Sequence, residues 1–396
     1  MDKKFKMYSQ KDKIFYYDYF PKVVHSNTRV TITIKSKFDG ISLDGNFGIL
    51  IMPFNDYDCN PYEKQERNII STKAENGRLT FEYEFGSEQA YALKIAEIID
   101  DEYYLLFNGM FYALDDDLYG LVPLKGDFHS HTIYSDGYES PDMVINAAKK
   151  YRLDFIAITD HNNYEGSEQG KKENIPDITV INGEEFSCDY TPMHIISLGA
   201  KKAVDSQYYK IGFAESPEVK QIVEADKEKI YSDITAYACT QALIDKIHEN
   251  EGLAVLCHAY WKPLYIGTRR MDVPESLLFD LLNNCKFDAF EIVTGSPIDD
   301  GFATDMQFAL LQNAGLTAKD IAFFGVTDSH MYSTDPLCGN HFTIVFATEN
   351  SEQAIIQAVR DKLTVAVEKL DKKIVKCYGD YRLIKYAHFL IKYVFS

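Results

Sequence analysis

Residues 126–137 read GDFHSHTIYSDG and set His129 and His131 two apart, with Asp136 shortly after. Side chains two apart on an extended strand point to the same face, so this spacing lets two imidazoles close on one metal ion. Taken alone the HxH pair is a weak signal, and a polar turn after a strand is its more common reading. Further along, however, the same residue types recur at the edges of apolar runs. Asp160 and His161 end one run, Glu184 and Glu185 another and His258 a third. His194 opens a run, Glu291 lies within one, and Asp328 and His330 close the last. Each has a plain structural reading: His258 as a hydrogen-bonded core histidine, Glu184 and Glu185 as a solvated turn, Asp328 as a cap. Yet six of the ten histidines fall at these positions, and only His25, His248, His341 and His388 stand outside the pattern. The joint expectation is a polynuclear metal site.

Imidazole with carboxylate and no thiolate suits zinc, manganese or iron. With roughly nine candidate ligands among these residues one ion is not enough, so two or three divalent ions are expected, with Glu185 as the natural bridge. Closely spaced cations lower the pKa of bound water, so a metal-bound hydroxide can attack and no serine or cysteine nucleophile is needed. His194, His330 or Asp160 could then pass a proton to the leaving group. An anionic substrate also calls for cations from the protein. Lys262, Arg269 and Arg270, in YWKPLYIGTRRMD after His258, are the substrate-binding candidates, a solvated loop being the alternative. Tyr260 and Trp261 either wall the pocket or pack.

These residues need a frame to bring them together. Up to about residue 115 the chain alternates as strands do, in RVTITIKS, FGILIMPF, RLTFEYEF, YALKIAEI and EYYLLFNGMFYAL. Gly, Asn, Asp and Pro clusters separate them, which predicts a β-sandwich-like N-terminal domain over 1–118. Asp115–Asp117 and the following LYGLVPLKG read as a linker. From residue 124 to about 370 the grammar changes to short apolar runs alternating with helical stretches such as MVINAAKKYR and SLLFDLLNN. That alternation predicts a parallel α/β sheet closed into a barrel, whose strand ends converge on one rim. His194 fits this rule least well, because it begins its run. Residues 201–250 carry no strand signal and read as a partly helical insertion beside the barrel mouth. The tail, 371–396, reads as a docking helix with Arg382, Lys385 and Lys392 between its apolar positions rather than as a membrane helix.

The formal net charge of −19 argues against a nucleic-acid polymer as partner, but bound cations would reverse the local sign for a small anionic substrate. Seven cysteines without a CxxC pair read as reduced thiols. The basic start has no apolar h-region, and no stretch approaches a membrane span. A soluble, cytoplasmic protein is expected; its oligomeric state is left open.

The ordered set HSHTIYSDG (129–137), TDH (159–161), GEE (183–185), His194, His258 and DSH (328–330) resembles the PHP superfamily, named for polymerase and histidinol phosphatase. Its motifs run HxHTxxSDG, TDH, GxE, H, H and DxH, and the likeness covers about 124–370. The resemblance implies a distorted seven-stranded (β/α) barrel and a trinuclear centre. Carried over by position, His129, His131, Glu185 and Asp328 hold one ion. Glu185 bridges to a second held by His194 and His258, and Asp136, His161 and His330 hold a third. Some members have histidine in place of Asp136, which puts full binding of the third ion in question. Asp160 and Glu291 match positions that orient ligand histidines. A β-rich leading domain and the KCYGDYRLIKYAHFLIKYVFS ending are similar to a two-domain subgroup called carbamate-hydrolase-like metallohydrolases. The function implied is a metal-dependent phosphoesterase acting on a small phosphorylated metabolite or nucleotide. A carbamate, ester or amide hydrolase with the same site is the rival enzyme, and an inactive binding protein the rival outside catalysis.

Overall fold

The computed structural model describes residues 6–7, 16–41, 43–54, 69–191, 193–260, 273–294, 302–370 and 374–395. Lys262, Arg269, Arg270 and Trp261 lie outside the described residues. The chain divides into two compact units, residues 1–121 with 388–396, and residues 122–387.

The first unit is built of strands. β1 (Lys6–Met7), β2 (Tyr17–Phe20), β3 (Val23–His25), β4 (Arg29–Ser36) and β5 (Asn46–Pro53) are followed by β6 (Ile70–Lys73), β7 (Arg78–Glu84), β8 (Gln89–Ile99) and β9 (Glu102–Leu114). They form a six-stranded sheet in the order β1-β9-β8-β5-β6, with β3 also on β9, and a three-stranded sheet β2-β4-β7. Alternation decides which residues turn inward. Ile32 and Ile34 of β4 and Leu79 and Phe81 of β7 share one core with Ile49, Leu93, Ile95 and Phe111 of the larger sheet.

The second unit starts earlier than expected. The linker stretch is a helical turn, α1 (Asp116–Tyr119), followed by a strand, β10 (Val122–Asp127). Then come α2 (Pro141–Lys150), β11 (Phe155–Ile158), α3 (Glu165–Lys172), β12 (Thr179–Ser187) and β13 (His194–Leu198). Two 3-10 turns and α4 (Pro217–Asp226) lead to α5 (Ile234–Glu249), whose Leu243 and Ile247 share a core with Leu256 and Phe290. So the end of the expected insertion is part of the layer packed on the sheet. β14 (Leu253–Leu256), α6 (Glu275–Asn284), β15 (Ala289–Val293), α7 (Phe302–Asn313) and β16 (Ala322–Gly325) continue the alternation.

Three strands went unannounced in the sequence: β17 (His341–Ala347), β18 (Thr364–Lys369), with α8 (Glu352–Arg360) between them, and β19 (Val375–Gly379). The last occupies the start of the expected tail helix, which is shortened to α9 (Tyr381–Tyr393). The sheet order is β16-β15-β14-β13-β12-β11-β10-β17-β18-β19. Most of β10–β16 is parallel, but β13 runs antiparallel to both β12 and β14. Ser187, ending β12, therefore faces His194, beginning β13. This reversal puts the start of β13 on the rim where its neighbours end.

The sheet curls until β16 meets the other flank. Gly325 N donates to Thr343 Oγ1 at 3.0 Å, Phe323 N donates to Thr364 Oγ1 at 3.2 Å, and Ser130 bridges Ser329 in parallel. Gly325 is required at this seam. A Cβ there would stand 2.7 Å from Phe342 O and 2.9 Å from Val367 N. Among the described residues, no helix is long and apolar enough to cross a membrane.

Candidate metal centre

Past the rim, β10 continues into His129 and His131, and the chain after β16 continues into Asp328 and His330. The two segments are sewn together: Asp328 N donates to His129 O at 3.1 Å and His131 N to Ser329 O at 2.9 Å. Asp127, fully buried, accepts from His129 N (3.1 Å), Thr327 N (3.2 Å), Thr327 Oγ1 (2.6 Å) and Tyr332 OH (3.0 Å). Burial pushes its pKa up to about 6 against the pull of those donors. His258 (φ +20°) and Asp328 (φ +52°) both take left-handed backbone, a strained conformation concentrated at functional positions.

Four side chains converge beneath the rim. His129 Nε2 lies 3.1 Å from His131 Nε2, 3.1 Å from Glu185 Oε2 and 3.2 Å from Asp328 Oδ1. His131 Nε2 lies 3.2 Å from the same Glu185 oxygen and 3.1 Å from Asp328 Oδ1. Four ligand atoms this close together can share one ion at bond lengths of about 2 Å, those of imidazole and carboxylate to zinc. The tautomers suit a cation there. Carboxylates and carbonyls only accept, so His129 Nδ1 donates to Glu291 Oε1 (2.7 Å) and His330 Nδ1 to Asp328 O (3.0 Å). Each ring in its neutral form thus turns an Nε2 lone pair inward. Glu185 Oε2 is buried and accepts no hydrogen bond. Lone pairs facing lone pairs in a buried space fit a divalent ion.

Glu185 also turns its other oxygen to His194 Nδ1 (2.9 Å) and His258 Nε2 (3.0 Å). His161 Nδ1 stands 3.2 Å from Oε2, so His161 joins this second group as well as the third. In the third group, Asp136 Oδ2 is 3.3 Å from His330 Nε2 and 3.8 Å from His161 Nε2, with His131 within reach. Geometry thus gathers all nine sequence candidates, with His131 and His161 each reaching two groups.

The electrostatics run the same way. Burial alone would lower the pKa of His129, but the Glu185, Glu291 and Asp328 carboxylates outweigh it and carry it well above the usual imidazole value. Against the same burial, the neighbouring Asp328 and Glu185 carboxylates raise His131 to about 9. Burial pulls His161 down to about 4. For Glu185 and Asp328 burial opposes ionisation, yet the surrounding imidazoles hold both carboxyls well below their usual range. The cluster draws positive charge, as protons or as metal.

Two expected residues take other posts. Asp160 accepts from Thr132 N and Thr132 Oγ1, both 2.7 Å, and Ser135 Oγ at 2.8 Å. These bonds hold the 132–137 loop in place. Glu184 points to the other face of β12, where Oε1 accepts from Val204 N at 2.9 Å, and burial lifts its pKa to about 7. Glu291 orients two partners, His129 through Nδ1 and His258 through its backbone N–H at 3.0 Å. Sequence reasoning passed over Asp127 and Ser187, whose Oγ is 2.9 Å from His161 Nδ1. Both lie two residues from a ligand candidate on one strand face, a period-2 signal that was readable.

Residues 127–260 match the PHP domain. The match covers about a third of the chain, and Asp328 and His330 reach the cluster from beyond the matched span. In structure the chain is similar to a two-domain protein from Bacteroides vulgatus containing a predicted PHP-like metal-dependent phosphoesterase. That pair is 19% identical over 63% of this chain and 66% of the other, with a TM-score of 0.42. The match spans just under two thirds of that protein. An amidohydrolase from Chromobacterium violaceum, solved with sulfate and no metal, is 17% identical over 53% of this chain and 89% of its own, with a TM-score of 0.34. No curated protein matches.

Proposed function

We propose that this chain is a metal-dependent phosphoesterase acting on a small phosphorylated metabolite or nucleotide. One observation carries the reading: Glu185 offers one oxygen to His129, His131 and His161 and the other to His194 and His258, all at 2.9–3.2 Å. A carboxylate so placed joins neighbouring cation sites. His129, His131, Glu185 and Asp328 would hold one ion, Glu185, His194 and His258 a second, and Asp136, His161 and His330 a third. Divalent ions there would supply Lewis acidity and an activated water. His194 turns Nδ1 to Glu185 at 2.9 Å, which leaves its Nε2 off the ion, and we assign it proton transfer to the leaving group there, while the Nε2 of His330 stays with the third ion. Asp160 and Glu291 hold the loop and the rings in register. Lys262, Arg269 and Arg270 are kept as substrate-binding candidates by their place in the sequence after His258 alone.

Metal analysis together with a substrate panel tests this. Two or three transition-metal ions per chain, with turnover of p-nitrophenyl phosphate, its bis ester or nucleotides, is the expected result. Turnover of aryl carbamates alone would transfer the same site to a non-phosphate hydrolase.

A further inference from the structure

The candidate centre is open on one side. His129, His131 and Glu185 have no exposed side-chain surface, whereas Asp136 and His330 are 55% and 36% exposed. Three large apolar side chains on the two segments that bear these residues stand in solvent: Ile133 (59%), Tyr138 (73%) and Met331 (43%). Backbone hydrogen bonds fix where they stand. Tyr138 N donates to His330 O at 2.8 Å, tying the loop to the segment that bears Met331, and Ile133 N donates to Glu139 O at 3.0 Å. The loop is stiff between them. Thr132 O accepts both Ser135 N and Gly137 N at 3.0 Å, and a Cβ on Gly137 would come within 2.6 Å of the His131 backbone.

Exposed apolar side chains scattered singly need no explanation. Here three stand on two hydrogen-bonded segments that carry the exposed edge of a buried charged cluster, a concentration beyond single scattered exposure. We infer that Ile133, Tyr138 and Met331 form an apolar rim that receives an aromatic ring borne by the substrate, so that aryl or nucleobase-bearing phosphoesters are preferred to small aliphatic ones. This rests on the phosphoesterase reading. Rings stack on Tyr and pack against Met and Ile while the anionic group lies toward the ligands, and both contacts are made at once only by a substrate with both parts.

Calorimetric binding of phenylphosphonate and methylphosphonate to the metal-loaded protein tests the rim without relying on turnover. Phenylphosphonate should bind about threefold to tenfold more tightly. Tyr138→Ala and Met331→Ala should each lower that ratio, with metal content and circular dichroism as in the wild type. Tyr231→Ala, at a side chain 90% exposed on a different segment, should keep it. Equal affinity for the two phosphonates, or a ratio that both rim variants leave intact, overturns the rim alone. If neither phosphonate binds, the phosphoester reading falls and the rim with it.

Discussion

Glu185 has no exposed surface and five imidazole nitrogens around its two oxygens, and Asp328 and Glu291 bring two more carboxylates into the same small space. Buried charges of this kind persist only when paired or bound to metal. Without metal the carboxylates draw protons onto His129, His131 and His258, so metal uptake must release protons and strengthen as pH rises. The residue with most leverage that touches no ion itself is Glu291, because it fixes the His129 tautomer and the His258 backbone together. Glu291→Gln keeps the shape but removes the charge that secures Nδ1–H. Metal affinity should fall about 10- to 100-fold, read by competition with a chelating dye, while circular dichroism stays unchanged. Wild-type affinity in that variant would remove Glu291 from the positioning role.

At the scale of elements, the reversed strand β13 and the seam at β16 do most to assemble the site. Were β13 parallel to its neighbours, His194 would start at the far end of the sheet, away from Glu185. The seam brings Asp328 and His330 to His129 and His131, and it depends on backbone approaching backbone at Gly325. Gly325→Ala forces a Cβ against Phe342 O and Val367 N, neither of which can rotate aside. A loss of roughly 1–3 kcal/mol in unfolding free energy is expected, accompanied by weaker metal binding as Asp328 shifts. Loss of stability with full metal affinity would mean that the seam does not position the ligands.

For the whole molecule, metal and fold should be linked. A ligand that binds only the folded state at a hundred times its Kd adds about 2.7 kcal/mol, so chelation should lower the thermal midpoint. The loss has an address, because all nine candidate ligands fall within residues 122–387. Hydrogen exchange after chelation should rise in 128–139 and 326–332 and stay unchanged in β4 and β7. Equal loosening of β4 and β7 would count against a metal centre confined to the second unit.

Much of this was readable in one dimension. Alternation located β4, β5, β7, β8 and β9 to within a few residues, and short apolar runs located β11 to β16. All nine candidate ligands were visible as histidines and carboxylates at the borders of those runs, since residue type and a period of two are local properties. β10 was mistaken for linker, and β17 to β19 were passed over, because nothing in their own composition says which strand they will pair with. Strand direction at β13, the closure that joins Ser130 to Ser329, and the capture of both Asp160 oxygens by the 132–135 loop depend on contacts distant in sequence. The sequence by itself determined which groups could bind metal. Only the tertiary structure decided that they meet around one buried carboxylate, because convergence depends on how the sheet closes.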